Sequence, residues 1–356
     1  MNAIRCIVPP YMLRNIIEHG DETERRWAWR ILDQSETFKA LRLALPPPSV
    51  MKAEPRRCVY DSRGTTDLPG VLRRQEGEER SNDAAVDEAY DALGATYDLF
   101  HEAFSRHSLD DAGLRLDATV HYGRAYDNAF WNGTQMVFGD GDGRLFNRFT
   151  IAPEIVGHEL AHGVTQYEAR LRYRGEPGAL NESFSDVLGV LVKQRMTHVE
   201  ARRAAWLIGE GLFTKNVRGV AIRSMKDPGS AYDDPVLGKD PQPATMKEYV
   251  QTEDDEGGVH INSGIPNRAF YLAAISIGGF AWEKAGRIWY VALRDRLRQT
   301  STFNRAAAVT AAAAADLFGQ GSLEQQAVVT AWRAVGIDAR IAVVTLPPQS
   351  QFRVEG

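Results

Sequence analysis

Residues 156–167 read VGHELAHGVTQY, and this stretch restricts the fold more tightly than any other. Four residues of α-helix turn through about 400°, so His158 and His162 leave one helical face a single turn apart. Glu159 sits beside the first of them. This spacing lets two imidazoles share one Zn²⁺ while a carboxylate faces the water next to it. The alternative is a helix carrying two half-buried histidines. A catalytic zinc takes three protein ligands and keeps a fourth position open. One extension of the motif would need glycine and histidine where the chain has Thr165 and Glu168, so that class is excluded. The other option is a carboxylate from a following helix. GALNESFSD, residues 178–186, offers Glu182 and Asp186 at i, i+4 on one face. Glu182 could complete a His₂Glu set. Asp186 is spaced to accept the outer N–H of a ligating histidine, and the apolar Phe184, Val187 and Leu188 argue against a solvated acidic face.

The rest of the sequence sets bounds. At 356 residues it exceeds one typical domain, which predicts two lobes or a lobe pair with an appendage. A net charge of −5 gives no basic excess, so nucleic acid and anionic membrane are not expected partners. Cys6 and Cys58 are too few for a disulfide framework. No apolar run is long enough to span a bilayer. The opening MNAIRCIVPPYMLRNIIEHG, broken by prolines, does not read as a secretory signal, so cytoplasmic synthesis is expected, with any export by a non-classical route.

Along the chain, residues 12–19 read as a short helix stopped by Gly20, and 21–45 as a second helix ended by the prolines at 46–48. From Arg56 to about Gly143 the pattern is mixed: strands with turns, one amphipathic helix from Asp83, then strands in LDATVHY and NAFWNGTQMVFGDGDG. GDGDG, residues 139–143, reads as a tight hairpin turn rather than a calcium loop. After Pro153 the pattern is mostly helical to about Val335, with a Pro/Gly/Asp-rich surface loop at 227–246.

Over roughly residues 56–340 the chain resembles the thermolysin-like zinc metallopeptidases of the gluzincin type. The resemblance rests on NAFWNG (128–133), GHELAHGVTQY (157–167), GALNESFSD, IRSM (222–225) and GGVHINSGIPN (257–267), in that order. The brief N-terminal segment with PPYML is similar to the protealysin-like branch, whose members carry a short prosegment. The resemblance implies an α+β fold: a β-rich first catalytic lobe (51–155), then the zinc helices and an α-helical second lobe (156–345). A helical prosegment (1–50) and a tail (346–356) complete it.

The same resemblance implies a metalloendopeptidase with one catalytic zinc, acting as a monomer on peptides and proteins and cutting before bulky apolar residues. Glu159 would act as general base, and Tyr173 and His260 would stabilise the oxyanion, with Asp255 orienting His260. Asn181 and Asp186 would stand behind the ligating histidines. Asn128, the Ala129 backbone and Arg223 would hold the substrate backbone in a strand-addition mode, Arg223 at the residue after the cut. The family's paired calcium cluster is expected to be lost. Glu154 and Glu210 remain, but Lys193, Ala205 and Leu207 occupy related carboxylate positions, and the Lys193 ammonium would pair with a retained glutamate. The prosegment would act as an intramolecular inhibitor, laying Cys6, Pro9, Pro10, Tyr11, Met12 and Leu13 near the cleft. Cys6 is a candidate zinc-capping thiolate, and self-cleavage is expected near Val50–Met51. A catalytically silent zinc-bearing peptide binder is the rival reading, disfavoured because Glu159, Tyr173 and His260 are all present.

Overall fold

A computed structural model describes residues 5–40 and 54–339. The prolines at 46–48 expected to end the second helix, the cleavage site near Val50–Met51 and the tail from 346 lie outside the described residues. The first elements are β1 (Arg5–Cys6), α1 (Pro10–His19) and α2 (Glu22–Ala40). The sheet-bearing part holds β2 (Arg57–Asp61), β3 (Val71–Gln75), α3 (Ala84–Asp98), β4 (Leu116–Val120), β5 (Ala129–Trp131) and β6 (Met136–Phe138). Then come α4 (Pro153–Tyr167) and α5 (Gly175–Met196). Four short strands follow: β7 (Leu207–Ile208), β8 (Arg223–Ser224), β9 (Asp233–Asp234) and β10 (Gly238–Lys239). The last part is helical: α6 (Asp254–Asn262), α7 (Gly264–Ile277), α8 (Ala285–Val291), α9 (Phe303–Phe318) and α10 (Leu323–Ala334).

The architecture is α+β, with one six-stranded sheet ordered β1-β5-β6-β4-β2-β3. The β2–β4 and β4–β6 pairings are parallel and the rest antiparallel. Helix α3 follows from amphipathic spacing, and Asp83 caps it by accepting from the Ala85 and Val86 amides, whereas α4 is buried on every side from Glu154 to Thr165. Two expectations are corrected. Residues 139–143 do not form a hairpin: among the described residues no later strand pairs with β6, and the Asp142 side chain instead accepts from the amides of residues 144–146, folding the segment into a local turn. The stretch from 197 to 253 is mostly irregular with two small ladders, because its prolines and glycines cannot continue α5.

The N-terminal segment does not stand apart. β1 adds to the free edge of β5, with Arg5 opposite Trp131 and Cys6 opposite Phe130. Pro9 then caps α1 and Pro10 takes its first position, so the helix starts two residues earlier than its periodicity suggests. Ile7, Val8, Met12, Leu13 and Ile16 are buried, each contributing about 1.5–3 kcal/mol when fully withdrawn from water. Polar contacts fix the position: Asn15 donates to the Leu237 carbonyl at 2.8 Å, Arg14 meets Asp254 at 3.1 Å, and Arg144 pairs with Asp21.

Lys193 lies between two glutamates, 3.0 Å from Glu154 and 2.9 Å from Glu210, so its ammonium occupies the acidic position. Glu154 is fully buried, and burial raises its pKa even against Lys193. Lys193→Ala therefore strands a buried carboxylate and should cost about 3 kcal/mol in urea unfolding at pH 8. An acid with a raised folded pKa loses its penalty as pH falls through that value, so the deficit should shrink toward pH 4. Added calcium should leave the wild-type melting temperature unchanged.

His121 joins two segments by donating through one nitrogen to Asp140 at 2.8 Å and through the other to Asp83 at 3.0 Å. Its bond to Asp140, opposed by burial and helped by Asp83, lifts its pKa to about 9. A raised histidine stabilises fully below its unfolded pKa of about 6.5 and loses that contribution as pH rises through the folded value. Thermal melts should thus show a fall in stability between pH 7 and 10 that His121→Gln lacks.

Candidate functional site

Helices α4 and α5 carry the motif residues and cross where both have glycine. A Cβ on Gly189 would lie 2.3 Å from the Glu154 carbonyl oxygen and 3.0 Å from the His158 amide nitrogen. One on Gly157 would meet Val192 at 2.9 Å. The two backbones therefore approach closely, as small residues at a crossing permit. This contact lets Glu182 reach the histidines of the other helix. The sequence reading missed both glycines, although their place within the two motif helices was the available signal.

His158, His162 and Glu182 are buried, and their candidate ligand atoms all lie within 4.8 Å of one another. The Nε2 atoms of His158 and His162 stand 3.5 and 3.4 Å from the two Glu182 oxygens. The chemistry fits a cation. His158 Nε2 and Glu182 Oε2 are buried without hydrogen-bond partners, and two imidazoles with one carboxylate form a zinc donor set. Behind them, His158 Nδ1 donates to Asp186 at 2.8 Å, and His162 Nδ1 lies 2.9 Å from both Asn181 Oδ1 and Ser185 Oγ. These contacts turn each Nε2 toward the shared centre. Ser185 was not anticipated. Cys6, considered as a thiolate cap, is outside this ligand set among the described residues.

Asp186 does more than orient one histidine. Both its oxygens accept from Arg223, at 2.8 and 2.9 Å, and Oδ2 also accepts from Asn267 at 2.8 Å. Burial would raise its pKa, but the Arg223 guanidinium and then His158 hold it well below the usual carboxylate range. Asn267, inside a quoted motif, had been given no role.

Glu159 is buried next to the ligand face, and its Oε2 accepts from the Trp131 amide at 3.2 Å, tying α4 to β5. Tyr173 Oη bonds Glu182 and lies 3.1 Å from His260 Nε2. His260 in turn is gripped by Asp255, through Nδ1 at 2.6 Å and its own amide at 2.8 Å. Burial lowers its pKa, yet Asp255 reverses the sign and leaves it raised. Asp255 opens four consecutive left-handed residues, with φ of 52°, 53°, 83° and 76° through Gly258. The two glycines take this conformation without the Cβ clash that Asp255 and Glu256 must bear.

Asn128, Ala129 and Arg223 converge on the N-terminal strand. The Ile7 amide donates to the Ala129 carbonyl at 3.2 Å, the Val8 amide to Asn128 Oδ1 at 3.0 Å, and Arg223 Nη1 donates to the Ile7 carbonyl at 3.3 Å. Tyr11 lies beside Tyr232 and Asp240, and Met12 and Leu13 are buried. A cavity of about 220 Å³ remains between this segment and the site, bordered by Cys6, Val8, Leu13, Tyr173, Asp255 and His260.

Two family models match the chain: thermolysin metallopeptidase, catalytic domain, over residues 51–166, and thermolysin metallopeptidase, alpha-helical domain, over 169–337. The chain is 49% identical over 342 residues to an extracellular metalloprotease of Pectobacterium carotovorum subsp. carotovorum, covering 95% of this chain and 97% of that protein. It is 43% identical over 288 residues to a thermolysin of Alicyclobacillus acidocaldarius subsp. acidocaldarius, covering 78% of this chain and 50% of that protein. Among solved structures it is similar to the precursor of protealysin, a metalloproteinase from Serratia proteamaculans. That match has 54% identity and a TM-score of 0.86, over 94% of this chain and 99% of the other.

Proposed function

Because the chain belongs to the thermolysin metallopeptidase family and is a zinc-dependent metalloendopeptidase, we propose that it cuts peptide bonds on the N-terminal side of bulky apolar residues. The observation that carries the metal-dependent hydrolysis is the buried trio His158, His162 and Glu182 with Glu159 one residue from the first ligand, and the apolar preference rests on the family resemblance. When bound, zinc supplies Lewis acidity toward the scissile carbonyl and makes water a nucleophile near neutral pH. Glu159 removes a proton from the attacking water and delivers it to the departing amine. Tyr173 and His260, with Asp255 fixing the imidazole, donate to the oxyanion. Arg223 takes the carbonyl of the residue after the cut, and Asn128 and Ala129 pair with the backbone as an added strand.

In the same reading, residues 1–50 form a prosegment that occupies the groove until the chain is cut near Val50–Met51. Residues 51–155 and 156–345 form the catalytic lobes, 346–356 form a tail, and the enzyme acts as a monomer. The precursor neighbour supports a prosegment, and the relative's extracellular designation supports export. Among the described residues no helix is long and apolar enough to cross a membrane. A cleavage-site profile on a peptide library tests the reading. Cuts should fall before Leu, Ile, Phe or Val and vanish with chelator; cuts elsewhere, or activity that survives chelation, would refute it.

A further inference from the structure

The N-terminal strand does more than cover the groove. Its register on β5 has Arg5 opposite Trp131 and Cys6 opposite Phe130, and the Ile7 amide bonds to the Ala129 carbonyl. At one end of this ladder Glu159 accepts from the Trp131 amide. At the other, Arg223 donates to the Ile7 carbonyl and Asn128 accepts from the Val8 amide. With Ile7 held by its carbonyl as the residue after the cut, the bond that precedes it is Cys6–Ile7. We infer that this segment lies in the polarity and register of a substrate, and that Cys6–Ile7 is a self-cleavage site of the precursor. The inference rests on the proposed function, since it takes Arg223 to grip the residue after the cut.

The residue after this bond fits: Ile7 is apolar and fully buried. Pro9 and Pro10 have no amide to extend the ladder and turn the chain into α1, so groove pairing ends at Val8. Hydrolysis adds one water across the bond. Its oxygen goes to the Cys6 carbonyl carbon, making a carboxylate, and the C–N bond breaks. Glu159 carries the two water protons, one after the other, to the Ile7 nitrogen, which leaves as an α-ammonium. The new end stays tethered through α1 and α2, so it keeps a high local concentration at the groove and the nicked chain stays latent.

The full chain, purified with chelator and then given zinc, provides the test by intact-mass measurement over time. A chain beginning at Ile7 should appear before products cut near residue 50, and Ile7→Asp should slow its appearance at least tenfold. Because that variant could undock the strand, residue-resolved amide exchange on the chelated wild-type chain gives a second readout. The Ile7 and Val8 amides should be protected, and Asn128→Ala should release Val8. Free exchange at both amides would overturn the register. If the Cys6–Ile7 bond stays intact while the same preparation, once matured, cleaves a reporter peptide, this inference falls and the proposed function stands. If neither is cut, the proposed function fails with it.

Discussion

Glu159→Gln should lower kcat for peptide hydrolysis by about 10²–10⁴-fold while zinc content and KM stay near wild type. The amide has nearly the shape of the carboxylate, and its oxygen can still accept from the Trp131 amide, so α4 and β5 should keep their contact. What it cannot do is take a proton at neutral pH. The interaction lost is made as the water attacks, so kcat and kcat/KM should fall together. Conversion of the full chain to shorter forms should stop as well, because the same base is needed there. Steady-state kinetics with metal analysis on one sample would decide the matter. A fall of less than tenfold, with zinc retained, would mean another group accepts the proton.

How much of this arrangement could be read from sequence depends on the range of the interactions. The i, i+4 pairs His158/His162 and Glu182/Asp186 are local consequences of helical pitch, so helices α4 and α5 and their inward faces were legible. The depth of their crossing was not, because Gly157 and Gly189 acquire meaning only when each has the other helix's backbone beside it. β1 was equally hidden. Two residues have no strand tendency to detect; they are extended because β5 offers an unpaired edge. The pairing of Lys193 with a glutamate was legible only through the family resemblance, which sets it beside Glu154 and Glu210; that the ammonium would meet both was not. Residues 139–143 misled in the opposite way. Asp-Gly pairs are strong hairpin signals, but here the Asp142 side chain uses three amides itself and no partner strand follows. Asn267 and Ser185 are recognisable only by what they touch.

The largest stability effect should come from Asp186, which no substrate touches. Its carboxylate is wholly buried and neutralises Arg223, also buried, while orienting His158 and satisfying Asn267. Asp186→Leu leaves a guanidinium in the core without its counter-charge and an amide donor without its acceptor. Removing one member of such a pair costs about 3–5 kcal/mol. Urea unfolding of chelated protein should show that loss, because without metal only the charge pair and its hydrogen bonds are at stake. Zinc affinity, followed by competition with a chromophoric chelator, should drop about 10–100-fold as His158 loses its partner. The double variant Asp186→Leu, Arg223→Met removes both charges and should recover most of the stability but none of the zinc affinity. Stability and metal affinity thus separate: the first follows the charge balance between Asp186 and Arg223, the second the bond from Asp186 to His158. If the single variant loses less than about 1 kcal/mol, or if the double variant binds zinc like wild type, Asp186 is not the residue joining the helix pair to its metal site.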